Sequence, residues 1–341
     1  MLKYMRELCL TDGPSGSESK VTDYIRSVIE PYCECSTDAC GNLIAFKKGK
    51  SRAAKKVLLD AHVDEVGFIV TDIDENGFLG FRTLGGINIE SLLGKRVTIN
   101  GCVGVIQIKP IHLLKADEKR KLPDKDSLTI DIGAGSREDA LKHVSLGDSG
   151  TFASRFVEFG DGFIKAKAID DRLGCAVLMQ LATEEAEHDF WLSFSTQEEV
   201  GLRGSKASSF TVAPDMAIVV ESTSAADLVN MPAQKTVCEV GKGAVVSFMD
   251  RCTIYPQQLV RAAMAAAEEN GIPAQFKRAV AGGNDAGEIH LAHGGVATVG
   301  LAVPCRYLHS PSCVIAKRDA DAVLALTRVM LGRMTSGELI L

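Results

Sequence analysis

A chain of 341 residues is too long for one small core and suits two domains, one of them large. Its 38 basic and 44 acidic residues leave a net charge of −6 with no basic stripe, which argues against a nucleic-acid surface. No apolar run approaches the ~20 residues of a membrane span, and the segment after Met1 lacks a signal-peptide apolar stretch, so a cytoplasmic protein with no membrane partner is expected.

Residues 1–65 read as α/β. Ser17 is placed to cap a helix whose apolar face is Val21, Tyr24, Ile25, Val28 and Ile29, ending before Pro31. Segments 42–46 and 56–61 read as strands. Residues 67–150 change character: 67–70 and 77–81 flank the turn signal Asp74-Glu75-Asn76-Gly77, and Asn100-Gly101 separates strand-like 96–99 from 103–106. Further strand-like runs are 128–132 and 151–152, the charged stretch 115–126 reads as a solvated loop, and 136–143 as a helix. From Gly162 the α/β rhythm returns, with helices expected over 172–187, 257–270 and 319–333. The simplest organisation is an α/β domain built from residues 1–66 and 151–341, interrupted by an inserted β-rich module over 67–150.

Ten cysteines occur. Cys33, Cys35 and Cys40 cluster, but without the second ligand pair of a zinc finger. Cys102, Cys175, Cys238 and Cys252 sit singly, so all are expected to be reduced, small buried hydrophobes and none a nucleophile.

The chemistry lies in isolated acids and histidines just past apolar runs. The run 57–61 leads into His62 and Asp64, 191–195 into Glu198 and Glu199, 217–220 into Glu221, and 297–302 through Pro304 to His309. Short, continuously apolar runs are strands buried on both faces, hence a mostly parallel sheet flanked by helices, in which sites form beyond the carboxyl ends of the strands. Residues two apart in a strand share a face, so Asp64 can accept a hydrogen bond from one nitrogen of His62 while the other binds a metal. Asp170 and Asp171 precede a helix; one can be its N-cap, and a carboxylate there can also bridge two cations. Glu198 and Glu199 can share one site only if the strand ends and the backbone turns, which Gly201 and Gly204 permit. One of the two then binds metal, while the other takes a proton from water. Together His62, Asp170, Glu199, Glu221 and His309 fit two metals sharing Asp170, with a mixed histidine and carboxylate set that suits zinc, cobalt or manganese. Gly282-Gly283-Asn284-Asp285-Ala286-Gly287 lacks phosphate-loop and dinucleotide spacing and reads as a backbone platform beside the site, before a helical segment 288–293. His112, His143, His188, His290 and His293 read as structural or exposed.

The segments Asp60-Ala61-His62-Val63-Asp64-Glu65-Val66-Gly67, Ala168-Ile169-Asp170-Asp171-Arg172, Gln197-Glu198-Glu199-Val200-Gly201, Gly283-Asn284-Asp285-Ala286-Gly287 and Arg306-Tyr307-Leu308-His309-Ser310-Pro311 resemble, in order, the M42 family of metalloaminopeptidases. That resemblance implies a peptidase removing N-terminal residues from short peptides by a metal-bridged water. It implies that His62, Asp170 and Glu221 bind one divalent cation and Asp170, Glu199 and His309 a second, with zinc ahead of cobalt or manganese. Glu198 would be the general base and Asp64 would orient His62. The inserted module would be a PDZ-like barrel for dimerisation, and dimers would assemble into a tetrahedral dodecamer. Two departures stand out: Glu221 where the family commonly has Asp, and Asn284 where Thr is usual. A related dinuclear amidohydrolase, such as a deacylase or carboxypeptidase, is the first alternative. A glycosidase needs two facing carboxyls and no metal, leaving both histidines unexplained; a scaffold that lost catalysis leaves Glu198 unexplained.

Overall fold

A computed structural model describes residues 1–339 of the chain. Helices α1 (Leu2–Leu10) and α2 (Ser19–Ile29) lead into strands β1 (Glu34–Thr37), β2 (Leu43–Lys47) and β3 (Val57–His62). Six strands then close into an antiparallel barrel: β4 (Gly67–Ile73), β5 (Leu79–Leu84), β6 (Arg96–Ile99), β7 (Cys102–Ile106), β8 (Thr129–Asp131) and β9 (Ser149–Phe152), with the short helix α3 (Arg137–Ala140) between the last two in sequence. Strands β10 (Val157–Phe159) and β11 (Phe163–Ala166), helix α4 (Ile169–Thr183), strand β12 (Phe190–Ser195), helix α5 (Arg203–Val212), and strands β13 (Met216–Ser224) and β14 (Ala244–Val246) follow. Helix α6 (Gln257–Glu269), strand β15 (Ala274–Phe276), helix α7 (Ala286–Ile289), strands β16 (Ala297–Cys305) and β17 (Cys313–Ala316), and helix α8 (Lys317–Ser336) complete the chain.

The main sheet has eight strands in the order β1-β2-β12-β3-β13-β16-β14-β15. Its centre, β12-β3-β13-β16, is parallel, and antiparallel pairing enters toward the edges, at β2 against β12 and at β14 against β16. Every residue of β3 is buried, as are all but the last of β13, because helices cover both faces and the apolar runs have no solvent side. The barrel has its own core, in which Phe68 meets Phe81 and Phe152 edge to face, with ring centroids 5.4 and 5.1 Å away.

Register places the site. Ser195 pairs with His62, so β12 and β3 end together, and Val219 pairs with Asp60, which stands Glu221 level with His62. Both hairpin signals of the barrel segment are turns, joining β4 to β5 and β6 to β7.

Several local expectations need correction. Ser17 does not cap α2: the N-cap position is Glu18, with no side-chain cap hydrogen bond, and the Ser17 hydroxyl instead accepts from Ser149 of β9. Helix α4 ends at Thr183, short of the expected 187, and Asp170 and Asp171 at its start have non-helical torsions. Helix α8 runs from Lys317 to Ser336, past both expected ends, while 136–143 shrinks to the short helix α3 and the segment expected at 288–293 is the short helix α7, which begins two residues earlier and ends at Ile289.

Arg172 begins the regular part of α4 and is fully buried. Its guanidinium donates to the carbonyls of Leu8, Thr11 and Gly13 and to Glu65 Oε1, and Lys167 donates to the same Glu65 oxygen at 2.6 Å. This network fixes the start of α4 against the N-terminal segment. Replacing Arg172 with Met leaves Glu65 short of a partner and the Thr11 carbonyl without a donor, a defect worth about 3–5 kcal/mol. Urea unfolding of the variant should show that loss as a lower midpoint, and unchanged stability would contradict this role.

Candidate metal centre

The sequence-predicted residues converge at the carboxyl edge of the sheet. His62 closes β3, and its Nε2 lies 3.3 Å from Asp170 Oδ1 and 3.4 Å from Glu221 Oε1. His309 follows β16, and its Nε2 lies 3.5 Å from Asp170 Oδ2 and 3.3 Å from Glu199 Oε1. The two oxygens of Asp170 therefore face different histidines, and each histidine has one further acid beside it. Glu198 Oε2 stands 4.0 Å from His62 Nε2, outside both triads. Asp171 Oδ1 accepts from the amide of Gly174 at 3.0 Å, a capping contact, while its carboxylate still offers an oxygen within 4.8 Å of ligand atoms of Asp170 and Glu221.

Each histidine is held from behind. His62 Nδ1 lies 3.1 Å from the Asp64 carbonyl and 3.3 Å from Asp64 Oδ1, so a proton on Nδ1 leaves Nε2 as a free acceptor. His309 Nδ1 lies 2.8 Å from the carbonyl of Gly86, in the stretch after β5 of the barrel segment. Asp64 does more than face His62. It accepts from Ser15 Oγ at 2.6 Å and from the amides of Glu198 at 2.9 Å and Glu199 at 3.2 Å.

The turn that brings both glutamates inward uses Gly201, at φ 122°, as expected, but Gln197 rather than Gly204 completes it. Gln197, at φ 57°, reverses the chain after β12. Gly204 serves close packing instead, since a Cβ there would lie 2.3 Å from Asn42 Oδ1 and 2.4 Å from the Thr196 carbonyl. On the far side of the cavity, Gly283 sits where a Cβ would meet Cys252 Sγ at 2.5 Å, so the glycine-rich loop packs flush against 252. Asn284 accepts from the amide of Ala286 at 2.9 Å and donates to the Tyr255 hydroxyl at 3.1 Å, holding that loop to its neighbours.

Crowded carboxylates dominate the electrostatics. Burial pushes Glu221 well above the usual carboxyl range, and Asp170 beside it adds to the shift. Burial likewise raises Glu198, and raises Glu199 to about 7. Burial opposes ionisation of Asp170 too, but hydrogen bonds from His309 and His62 overcome it and hold that carboxyl below its ordinary value. Burial disfavours charge on His309, yet Asp170 and Glu199 raise it to about 10; His62 is raised in the same way by Glu221, Asp170 and Asp64.

Sequence reasoning gave no role to Asp60 and Asp285, which lie beneath the centre joined through Ser195 Oγ, 2.7 Å from Asp285 and 3.3 Å from Asp60. Burial raises both above the ordinary carboxyl range, each adjacent to the other's charge network. Two acids on a fully buried strand and in a tight loop were visible signals of such a pair. Of the histidines left without partners, His290 Nδ1 contacts the Ala286 carbonyl and His293 stacks on Phe210 with ring centroids 5.1 Å apart, both structural arrangements. All ten cysteines are free.

The chain resembles known proteins over nearly its whole length. The profile of the M42 glutamyl aminopeptidase family matches residues 41–326. A putative aminopeptidase of Acetivibrio thermocellus is 38% identical over 321 residues, covering 92% of this chain and 93% of its own length. The crystal structure of the TET aminopeptidase from the marine sediment archaeon Thaumarchaeota archaeon SCGC AB-539-E09 superposes with a TM-score of 0.91 at 34% identity, over 97% of this chain and 95% of that one. The TET1 peptidase of Pyrococcus horikoshii, reported to assemble into a tetrahedron or a large octahedral shell, matches with a TM-score of 0.86 at 29% identity over 96% and 98% of the two chains. The chain belongs to the M42 family of aminopeptidases, and it is a peptidase of that metal-dependent family.

Proposed function

We propose that this peptidase removes N-terminal residues from short peptides at a centre where His62, Asp170 and Glu221 hold one divalent cation and Asp170, Glu199 and His309 hold a second. The observation carrying this reading is the placement of Asp170, whose two oxygens each face a different histidine. The donors fit such ions: two imidazole nitrogens with their other nitrogens engaged, and several carboxylates too crowded to ionise together without added positive charge. A mixed nitrogen and oxygen set favours zinc, with cobalt or manganese as substitutes.

Bound cations supply Lewis acidity, which acidifies water and polarises the scissile carbonyl. Glu198 lies outside both triads and is free to take a proton from the attacking water and deliver it to the leaving amine. Asp64 keeps Nε2 of His62 pointed at the centre, and through the amides of Glu198 and Glu199 it sets the spacing between base and ligands. The acid-rich wall suits a free amino terminus and disfavours a blocked one.

Residues 67–150 are proposed as an inserted assembly domain within a unit formed by 1–66 and 151–341, building dimers that join into a tetrahedral dodecamer. Support comes from the separate barrel core and from the shells formed by the Pyrococcus horikoshii relative. No helix among the described residues is long and apolar enough to cross a membrane. Ten free cysteines support a reducing, cytoplasmic setting.

Glu198→Gln should retain the parent's metal content by native mass spectrometry while losing about 100-fold or more in kcat on unblocked peptides. Parent-like turnover would refute the assigned base. Charge crowding also predicts a pH signature for the metal-free protein. His309 titrates near 6.5 when unfolded and about 10 when folded, and Glu199 moves from 4.5 to about 7. Both folded values are raised, so their stabilising contributions are complete at low pH and are lost as pH climbs through 7 and toward 10. Thermal melts in chelator should fall steadily across pH 6 to 9.5, and zinc should flatten that slope; an unchanged slope would contradict the crowding argument.

A further inference from the structure

The cavity over the centre has a volume of about 380 Å³, and among the described residues lining it, apart from the histidines, Lys277 is the cationic side chain. Lys277 directly follows β15, and its amide donates to the Val246 carbonyl at 3.0 Å, continuing the pairing of β15 with β14. β14 and β15 run antiparallel to β16, so the chain at Lys277 is heading away from the edge that carries His62 and Glu221, yet its side chain is part of the lining of the same cavity. Only 6% of its surface is exposed. Buried lysines are ordinarily paired with an acid. Among the described residues, Lys277 has no salt-bridge partner; its Nζ donates to the Ala281 carbonyl at 2.8 Å, and an ammonium has two further donors. Burial opposes the charge, and Asp250, Glu221 and Asp170 counter it.

Among the described side chains lining this cavity are Asp170, Glu198, Glu199 and Glu221, and once His62 and His309 are engaged with metal as proposed, the side chain with cationic donors left for an anion is Lys277. We propose that Lys277 binds a substrate carboxylate lying within one residue of the scissile bond, and so sets which peptides are preferred. Such a carboxylate comes either from an acidic first side chain or from the C-terminus of a dipeptide. This inference rests on the aminopeptidase reading of the same centre.

Two matched pairs separate the sources. Glutamyl- and glutaminyl-p-nitroanilide differ only in the side-chain charge, and Leu-Ala and Leu-Ala amide differ only in the terminal charge. The zinc-loaded wild type should favour the charged member of at least one pair by about 10-fold or more in kcat/KM, and Lys277→Met should bring that ratio close to one, the scale of one charge-assisted hydrogen bond. Lys277→Arg should keep most of the preference. A ratio lost in the first pair assigns the side chain, and in the second the terminus. A wild type with no preference in either pair overturns the proposal without reference to any variant. So does a folded Lys277→Met enzyme, checked by its melting midpoint, that slows on charged and neutral members equally, because that pattern marks a structural lysine. Failure of the zinc-loaded wild type to cleave any unblocked peptide would instead reject the aminopeptidase reading and this inference with it.

Discussion

One buried carboxylate organises the site. Asp64 is fully enclosed and receives the Ser15 hydroxyl, the His62 imidazole and two successive amides, those of Glu198 and Glu199. Burial works against its charge, but the hydrogen bond and positive charge of His62, with help from Ser15 and the Glu198 amide, hold it ionised below the ordinary range. Three segments far apart in sequence are pinned to one another by these contacts. The spacing among His62, Glu198 and Glu199 is thus set by a group that touches neither a substrate nor the cavity wall.

A second constraint is the repulsion among the acids themselves. Five carboxylates and two imidazoles share a few ångströms at the sheet edge, an arrangement that burial alone would discourage. The surrounding structure stands firm for its own reasons: β3 is buried throughout and β13 at all but its last residue, and the Arg172, Glu65 and Lys167 network locks the start of α4, from which Asp170 projects. Strain at the centre is thereby carried by elements whose stability does not depend on it.

Much of this was legible in the sequence, and for an identifiable reason. A strand buried on both faces writes itself as an unbroken apolar run, so the acid or histidine that ends it stands out, as at His62, Glu221 and the pair 198–199. The parts that were not legible come from backbone groups and from chain reversals. The Gly86 carbonyl behind His309 has no side chain to announce it, and the left-handed turn at Gln197 falls on a residue with no preference for that conformation. Short strands such as β14 and β15 have only three residues each, too few for a period to register, so nothing in the sequence marks Lys277 beside them. Ser17 illustrates the opposite error: a favourable capping residue was drawn into a tertiary contact with Ser149, and the helix began two residues later.

The hold of Gly86 on His309 spans two parts of the fold. That carbonyl lies in the stretch following β5, whereas the ring it steadies hangs from the last strand to join the parallel sheet, 223 residues further along. The centre thus draws on both the main sheet and the barrel segment. Without the segment after β5 this imidazole would lose its backbone acceptor, so the ring is steadied only where barrel and sheet meet.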